Sequence, residues 1–372
     1  MSPTRLLAIA RKELLQLRRD TRSLILAFLL PVLLLVLFGY AISWDVRNIR
    51  TAVLDGDRSA RSRELIDAFR ASGYFTFVDN LERPGEIGNL FDRGTVQVAL
   101  VIPAGFAADL SAGRTASVQA IVDGSDANTA TIVLAYSEAI VRTWSSRVQL
   151  QGATARSLPI TAESRVWYNE ELASRNMIVP GLVAVIMMII AAMLTSLTIA
   201  REWERGTMEQ LAATPVSRVE VVLGKLLPYL GIGLADVVVC SVLGVVLFDV
   251  PFRGSAVLLM AFSFLFLTGA LGLGMFISVV AKSQVVATQV AMVVTFLPAF
   301  LLSGFMFAIE VMPAPLRAVS LLIPARYFLV VTRGIFLKGI GIEVLRTQAL
   351  LMVAFAVAGL GLAVLRFRKE LG

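Results

Sequence analysis

The sequence contains no histidine and a single cysteine, Cys240, among 372 residues. Disulfide frameworks need paired cysteines, and zinc sites and Ser-His or Cys-His catalytic sets need residues that this chain lacks. Cys240 lies inside an apolar stretch, where we predict that it acts as a small buried hydrophobic residue. The sequence therefore predicts no catalytic residues, no metal site and no cofactor-binding site in this chain.

Charged residues are also scarce. They make up 16% of the chain, whereas hydrophobic residues make up 57% and the mean hydropathy is +0.78. A soluble domain of this length carries fewer apolar residues, so the excess predicts a membrane protein. The net charge of +7 comes from basic residues that cluster beside apolar runs. Such residues set membrane topology, so we predict no nucleic-acid partner.

Long apolar runs indicate where the chain crosses the bilayer. A bilayer core of about 30 Å needs roughly 20 apolar residues in a helix, and six runs meet this requirement. They are 23–43, 177–200, 221–247, 256–280, 285–308 and 348–365. The first run ends like a signal-peptidase site, but it is longer than most signal-peptide cores, so we predict a span. The predicted fold is an α-helical membrane protein with six transmembrane helices and an inserted small α/β extracytoplasmic domain.

Basic residues near the ends of the runs predict the orientation, because lysine and arginine are retained on the cytoplasmic side. With six spans, the basic groups before span one, between spans two and three, between spans four and five, and after span six share one side. We therefore predict a multi-pass protein with both termini in the cytoplasm and residues 44–175 outside. The connection 309–345 is also basic, so we interpret it as partly folded onto the protein.

The N-terminal segment 1–22 has the pattern of an amphipathic helix, with apolar residues on one arc and basic residues on another. Such a helix lies in the membrane interface on the cytoplasmic side. Two interpretations stay open, a positive anchor that fixes orientation and a helix that also contacts a cytoplasmic partner. The apolar arc is Leu6, Leu7, Ala10, Leu14 and Leu17.

Residues 44–175 alternate predicted strands and helices, which is typical of a small α/β domain. The strands are 50–55, 74–78, 96–102, 117–123 and 162–167, and the helices are 60–71, 84–92, 105–110 and 127–150. Asp55, Asp57 and Asp123 would be the candidates for a metal cluster, but acidic residues at strand ends are more often turn and cap residues. We predict that the domain docks a periplasmic adaptor protein or the substrate.

Between spans two and three, glutamate and arginine surround a short apolar face of Met208 and Leu211. Gly206 permits a bend, and Pro215 ends the helix. The pattern predicts a short helix across a cytoplasmic turn, with its apolar face in a groove of a partner and its charges at the rim. The predicted site residues are Arg201, Glu202, Glu204, Arg205, Gly206, Thr207, Met208, Glu209 and Leu211.

Asp236 is the clearest charged residue within a predicted span. A carboxylate inside the bilayer is costly, so a transport-site or proton-relay role is the default hypothesis. The sequence shows no basic partner, and an interhelical hydrogen bond or proximity to the interface explains the residue equally well. We favour the structural interpretation and keep Asp236 as a candidate intramembrane polar site.

Short motifs are distributed along nearly the whole chain. They are Arg11-Lys12-Glu13, Arg201-Glu202, Arg205-Gly206-Thr207, Glu209-Gln210-Leu211, Thr214-Pro215-Val216, Glu220, Leu223-Gly224-Lys225, Pro228-Tyr229, Phe296-Leu297-Pro298, Leu302-Ser303-Gly304-Phe305, Pro324-Ala325-Arg326-Tyr327-Phe328 and Arg333-Gly334. In their order and spacing these motifs resemble those of the ABC-2 family of ABC exporter permeases, in particular drug-efflux-like members with a large external domain after the first span.

The resemblance implies a bacterial inner-membrane permease that exports hydrophobic or amphiphilic compounds from the cytoplasm or the inner leaflet. It implies that 201–214 is the coupling helix that seats in the ATPase and that 309–345 is an external helical hairpin. The chain has no phosphate-binding loop, because Leu226 follows Gly224-Lys225 and Val219 stands where the first glycine is needed. ATP and magnesium would therefore bind to a separate ATPase subunit.

One six-span chain with one coupling helix would engage one ATPase, so we expect a homodimer or a heterodimer with a paralogous permease, surrounded by membrane lipids. A periplasmic adaptor protein is a further expected partner. The alternatives are an ion-coupled secondary transporter and a membrane-anchored receptor. The first would show inverted repeats and charges at the bilayer midplane, and the second would show few spans and a cytoplasmic output domain. Neither pattern fits the sequence.

Overall fold

The computed structural model describes residues 2–42, 48–124, 127–152 and 173–367. Contacts divide the chain into two compact units, one from Met1–Ser43 with Arg165–Gly372 and one from Trp44–Ser164. The first unit, called the membrane unit below, contains the apolar helices. The second, called the α/β unit, contains the polar insertion.

Helices dominate the described residues. In chain order they are α1 (Pro3–Arg19), α2 (Thr21–Ala41), α3 (Ala60–Ala71), α4 (Glu86–Asp92), α5 (Phe106–Ser111), α6 (Ala127–Gly152), α7 (Ser174–Glu204), α8 (Met208–Ala212), α9 (Arg218–Phe248), α10 (Ala256–Ala281), α11 (Gln284–Ala291), α12 (Leu297–Leu301), α13 (Ala314–Ser320), α14 (Pro324–Arg333) and α15 (Arg346–Arg366). The strands are β1 (Ile49–Asp55), β2 (Phe75–Asn80), β3 (Val98–Ile102) and β4 (Gln119–Val122).

Within the described residues, five helices are long and apolar enough to cross a membrane, namely α7, α9, α10, the continuous run Gln284–Leu301, and α15. They coincide with the second to sixth predicted spans. The first predicted span lies in α2, whose apolar part Ala27–Ala41 is shorter. Helix α13 and the run Pro324–Lys338 form a further apolar pair, bent by 77°. The chain is thus a predominantly helical, multi-pass membrane protein.

The fifth of these helices is shorter than the apolar run 285–308 predicts. It ends at Leu301. Three residues later Gly304 adopts a φ of +85°, a left-handed conformation that glycine accepts at low cost, and the chain turns there. Hydropathy does not detect this turn, because the residues that follow Gly304 are also apolar.

The long helix α7 is the centre of the membrane unit. Every residue from Ile178 to Ala192 is buried, as expected for a helix that is hydrophobic all round. Polar side chains also join it to α10. Thr195 Oγ1 donates to the carbonyl of Leu271, and Ser278 Oγ accepts from the backbone N–H groups of Ile199 and Ala200. These contacts fix the register of α7 against α10.

The ends of the membrane unit gather into two sets of contacts. At one end, α1, the last turn of α7, the start of α9 and the α10–α11 turn meet. At the other, Arg333 of α14 donates to the carbonyls of Met177 and Gly304, and the backbone N–H of Arg253 donates to the carbonyl of Phe336. A basic residue of the predicted outer connection is therefore bonded to the protein, as the sequence interpretation requires.

The α/β unit is a four-stranded sheet in the order β2-β1-β3-β4, with helices packed on both faces. Strand β1 pairs in parallel with β2 and β3, and β3 pairs antiparallel with β4. Because side chains alternate between the two faces of the sheet along β1, Val53 packs in one core and Ala52 in the other. The strands and helices predicted up to residue 150 all occur in this unit. The predicted strand 162–167 lies outside the described residues.

The acidic residues Asp55 and Asp57 act as turn and cap residues. Asp55 accepts hydrogen bonds from the backbone N–H groups of Asp57 and Arg58, and Ser62 donates to it from the first turn of α3. Asp57 accepts from the backbone N–H groups of Gly105 and Ala107 at the start of α5. Among the described residues, no group of acidic or cysteine side chains could hold a metal ion.

Candidate functional site

The N-terminal helix α1 lies along the first turns of α9. Their contacts advance in the same order along both helices, because Ser2 meets Glu220, Ile9 meets Gly224 and Glu13 meets Lys225. The approach is close at Gly224, where a Cβ atom would lie 2.8 Å from that of Ile9. Glycine is therefore required at this position for α1 to lie against α9.

The face of α1 that meets α9 differs in part from the predicted apolar arc. Leu17 is buried at 4% exposure, whereas Leu7 and Leu14 are 61% and 53% exposed and face away from the protein. The arc is thus split between a protein-facing part and an outward part. The outward leucines are compatible with the predicted position in the membrane interface.

Beneath α1 lies a group of charged side chains, called the buried ion cluster below. It consists of Lys12, Glu13, Glu202, Lys225 and Tyr229. Lys225 Nζ lies 2.9 Å from Glu13 Oε2 and 2.9 Å from Glu202 Oε1. The side chains of Lys225, Glu13 and Glu202 are only 2%, 7% and 8% exposed, so water screens these charges little.

Two further contacts complete the cluster. Tyr229 donates its hydroxyl to the second carboxylate oxygen of Glu13 at 3.0 Å, and Lys12 lies 3.3 Å from Glu202 Oε1. Two carboxylates thus face two ammonium groups, and Lys12 is the one that reaches solvent, with 53% of its side chain exposed. The four charges sum to zero when all are ionised, and this balance matters because an uncompensated charge beside the buried Lys225 would be very costly.

The last turn of α7 enters this arrangement through two adjacent predicted site residues. Glu202 belongs to the buried ion cluster. Arg201 pairs with Asp20, just after α1, with 3.0 Å between Nη1 and Oδ2. Both residues are therefore engaged within the chain, and Glu202 does not lie at an exposed rim as the sequence interpretation supposed.

The next two residues of α7 hold the turn between α10 and α11. Glu204 accepts hydrogen bonds from the backbone N–H and the side-chain amide of Gln284, the first residue of α11. The ammonium group of Lys282 lies 4.6 Å from the ring centroid of Trp203, a cation–π contact. This contact gives Trp203 a role in joining the end of α7 to the turn between α10 and α11.

Residues 205–217 connect α7 to α9 and are called the connector below. The prediction of one helix over 201–214 differs from the structure, because residues 201–204 form the last turn of α7. The chain then turns at Gly206, whose φ is +68°. Only Met208–Ala212 form a separate helix, α8. Thr207 donates its backbone N–H to the carbonyl of Glu202, which ties the turn to α7.

The described side chains of the connector are exposed mainly through polar residues. Arg205, Glu209, Gln210, Thr214 and Ser217 are exposed, as are Gly206, Ala213 and Pro215, and Thr207 is partly exposed. Met208, in contrast, is packed inside the chain at 4% exposure, which differs from the predicted apolar face inserted into a partner. The side chain of Leu211 lies outside the described residues. The surface that the described part of the connector offers to a partner is therefore polar for the most part.

The connector also has a defined end. Ser217 and Glu220 form a capping box, in which each side chain accepts a hydrogen bond from the other's backbone N–H. Glu220 accepts a second bond from the backbone N–H of Ser2, and Arg5 donates to the carbonyl of Pro215. The N-terminal turns of α1 thus hold the exit of the connector, while Glu13 and Asp20 hold its entrance.

Sequence reasoning missed Lys225, Glu13 and Tyr229 as site residues, although it named them within the family motifs. Two signals could have found them. Lys225 lies inside the apolar run 221–247, and a lysine in a span indicates a buried partner. Glu13 follows Ala10 by three residues and precedes Leu17 by four, which places it on the same face of α1.

Asp236 lies apart from this site, on the buried face of α9 at 2% exposure. Its Oδ2 atom accepts no hydrogen bond from the described part of the chain. An interhelical hydrogen bond to that oxygen, one of the structural explanations offered for Asp236, is therefore absent from the described residues.

Comparison with known proteins identifies the family. A family model described as ABC-2 family transporter protein matches residues 21–365. The probable multidrug ABC transporter permease YbhS of Escherichia coli (strain K12) is 40% identical over 375 residues, which cover 100% of this chain and 98% of that protein.

Two further relatives from the same organism are more distant. The probable multidrug ABC transporter permease YbhR is 32% identical over 345 residues, 91% of this chain and 92% of its own length. The inner membrane transport permease YhhJ is 27% identical over 328 residues, 86% of this chain and 85% of its own length. The resemblance seen in the motifs is confirmed, and the chain belongs to the ABC-2 family of transporter proteins.

Proposed function

We propose that this chain is the membrane-spanning permease subunit of an ABC exporter for hydrophobic or amphiphilic compounds, driven by a separate ATPase subunit. The names of YbhS and YbhR, probable multidrug ABC transporter permeases, support export of such compounds. ATP and magnesium would bind to the partner, since the sequence has no phosphate-binding loop. Family membership does not favour a secondary transporter or a receptor.

The main structural support for this proposal comes from the connector. Its exposed polar residues stand between two long helices, and buried or paired side chains fix the entrance and the exit. A partner that moves the connector would therefore move the ends of α7 and α9 with it. Closure of two ATPase domains around ATP would supply such a movement, which the helices would carry into the membrane as a rigid-body change.

The orientation belongs to the same proposal. The three parts predicted to be cytoplasmic, namely the N-terminal helix, the connector and the turn between α10 and α11, meet through direct contacts. Their meeting supports one shared side, with both termini in the cytoplasm. The α/β unit would then be extracytoplasmic, and α2 would be the first of six spans. The helical pair α13–α14 would form the external hairpin.

The expected assembly follows from the single connector in each chain. Two permease chains, identical or paralogous, would each dock one ATPase subunit in a bacterial inner membrane. The name of YhhJ, an inner membrane transport permease, supports this location. A periplasmic adaptor protein docking on the α/β unit remains part of the proposal.

Site-specific photo-crosslinking in cells tests the docking surface. A photoreactive amino acid at Glu209, which is exposed in α8, is expected to capture a protein with a Walker A motif, identified by mass spectrometry. The matched control is Glu343, an exposed glutamate between α14 and α15 on the predicted outer side. Capture of the ATPase from Glu343, or its absence from Glu209 at equal expression, would refute the assignment.

Charge reversal tests the same surface by affinity. We expect Glu209→Lys to reduce co-purification of that ATPase, because it reverses an exposed charge on the connector, whereas Glu343→Lys leaves the yield unchanged. Glu202 is unsuitable for this test, since its replacement would disturb the buried ion cluster as well. Undiminished co-purification with Glu209→Lys would exclude Glu209 from the docking surface.

A further inference from the structure

The N-terminal helix α1 makes contacts with both ends of the connector. At the entrance, Asp20 pairs with Arg201, and Lys12 and Glu13 share the buried ion cluster with Glu202. At the exit, Ser2 and Arg5 bond Glu220 and Pro215. A helix of 17 residues is about 25 Å long, enough to lie beside the whole connector.

These contacts differ in how well they resist motion. The ion pair between Arg201 and Asp20 is partly exposed, and the hydrogen bond from Arg5 to the carbonyl of Pro215 is exposed. Exposed contacts of charged groups contribute little because water competes for them. The bonds from Lys225 to Glu13 and Glu202 are buried, and separating them would leave unpaired charges away from water. The buried ion cluster is therefore the strongest single tie among α1, α7 and α9.

We propose that the buried ion cluster joins α1, the last turn of α7 and the first turns of α9 into a single rigid body. In this body α1 holds the two ends of the connector at a fixed distance from each other. This inference rests on the proposed function. Under it, movement of the docked ATPase reaches α7 and α9 together, because the end of α7 and the start of α9 cannot separate without breaking the cluster. Lys225, Glu13 and Glu202 are then positioning residues for energy transfer rather than contacts of the ATPase.

Close packing supports the same conclusion independently of charge. The backbone of α1 approaches α9 so closely at Gly224 that a Cβ atom there would lie 3.1 Å from the carbonyl oxygen of Leu6. Ile9 occupies the space that a side chain at position 224 would need. Sliding of α1 along α9 is therefore opposed by shape as well as by the ion pairs.

Distance measurement between two spin labels tests the rigid body directly. The labels would replace Gln16 on α1 and Arg218 at the start of α9, both exposed, with the single native cysteine replaced by Cys240→Ala. The permease–ATPase complex is measured without nucleotide and after trapping with ATP, magnesium and vanadate. We expect one narrow distance distribution with the same mean in both states. With the native cluster in place, a shift of the mean label distance on trapping would overturn the proposal.

A neutral variant tests whether the cluster is the tie. The substitutions Glu13→Gln, Glu202→Gln and Lys225→Met remove the charges together, so no buried charge of these three is left unpaired. We expect the label distribution to broaden on trapping while the ATPase still co-purifies. The matched control is Arg142→Met, which breaks the exposed pair with Glu138 in the α/β unit and should leave the distribution narrow. A neutral variant that stays narrow would assign the rigidity to packing alone and overturn the role of the cluster.

The conservative variant Lys225→Arg provides the rescue. Arginine keeps a cation that can bond both carboxylates, so we expect a distribution narrower than that of the neutral variant. Failure of the proposed function is distinguishable, because it would appear as absence of ATPase co-purification from the wild-type chain. The labels on α1 and α9 would still report their distance in the isolated permease.

Discussion

Lys225 and Glu202 form a buried ion pair, with 2.9 Å between Nζ and Oε1, across 23 residues of sequence that include the whole connector. The pair closes the connector into a loop whose two ends cannot separate without exposing or stranding a charge. Its energy therefore depends on both partners being present, and this dependence can be measured.

We expect Lys225→Met to destabilise the protein more than the triple variant Glu13→Gln, Glu202→Gln and Lys225→Met. The single change leaves two carboxylates buried without their shared cation, and breaking a buried pair in this way typically costs about 3–5 kcal/mol. Thermal unfolding in detergent can be followed with a thiol-reactive dye, because Cys240 is the only cysteine and is buried. A triple variant that unfolds at a lower temperature than Lys225→Met would contradict this reasoning.

Close contact between α10 and α15 leads to a second prediction. A Cβ atom at Gly272 would lie 2.6 Å from the carbonyl carbon of Gly359, so Gly272→Ala must push the helices apart, at a cost of about 1–3 kcal/mol. Gly231 in α9 is the matched control, because no neighbouring atom of the described residues lies within 4 Å of its added Cβ. Gly231→Ala should be neutral or slightly stabilising, since alanine favours a helix. The same dye assay compares the two, and equal unfolding temperatures would count against close packing at Gly272.

Asp236 leads to a third prediction, on stability and transport together. One carboxylate oxygen of Asp236, Oδ2, is buried without a hydrogen-bond partner in the described part of the chain. Removing such a group relieves a desolvation penalty of about 1–3 kcal/mol, so Asp236→Leu should raise the unfolding temperature. Transport activity is measured as the efflux of a panel of lipophilic dyes from cells. Retained efflux is expected if Asp236 has a structural role only. Loss of efflux from a variant that is more stable than wild type would instead place Asp236 on the transport path.

The α/β unit provides a pH-dependent prediction. Hydrogen bonds from Ser59 and from the backbone N–H groups of Ala107, Gly105 and Phe106 lower the pKa of Asp57, against the opposing effect of partial burial. The ionised form is thus favoured in the folded state. The stabilisation is present above the ordinary carboxylate pKa of about 3.9 and is lost as the pH falls through the lowered pKa.

Hydrogen–deuterium exchange of the full-length protein measures this effect at the start of α5. At pH 7, Asp57→Asn should raise exchange at residues 105–107 relative to wild type, since the charged cap is lost. The ratio of the two rates should approach one as the pH is lowered below the pKa of Asp57, because wild type then also has a neutral side chain. A ratio that does not change with pH would show that the charge of Asp57 does not stabilise this turn.

Some parts of the fold follow from local sequence, and the membrane helices are the clearest case. Spans and the alternating elements of the α/β unit depend on hydropathy and periodicity within short windows, and these were predicted close to their observed positions. The end of the fifth helix was missed, because Gly304 terminates it within a run that stays apolar. A pattern within a short window predicts a helix well, but it does not reveal a turn when the residues on both sides of that turn are apolar.

The functional site was less predictable, for a physical reason. Lys225 and Glu13 are 212 residues apart in sequence, and their ion pair exists only after α1 has folded against α9. Charge patterning alone marked Glu202 as an exposed docking residue. The same glutamate is buried because Lys225, from another helix, neutralises its charge. The residues close to 202 in sequence give no indication of this partner. Arg205 and Glu209, without such partners among the described ion pairs, are exposed as their sequence predicts.

The burial of Met208 has a consequence for how lasting the proposed complex would be. With that methionine packed inward, an ATPase docking on the described part of the connector would be held mainly by charges and hydrogen bonds at the surface. Salt weakens such bonds, since the screening length falls from about 8 Å at physiological ionic strength to about 3 Å at 1 M. A wash at high salt concentration would then remove the ATPase from an intact permease, and dilution of the salt would allow it to bind again.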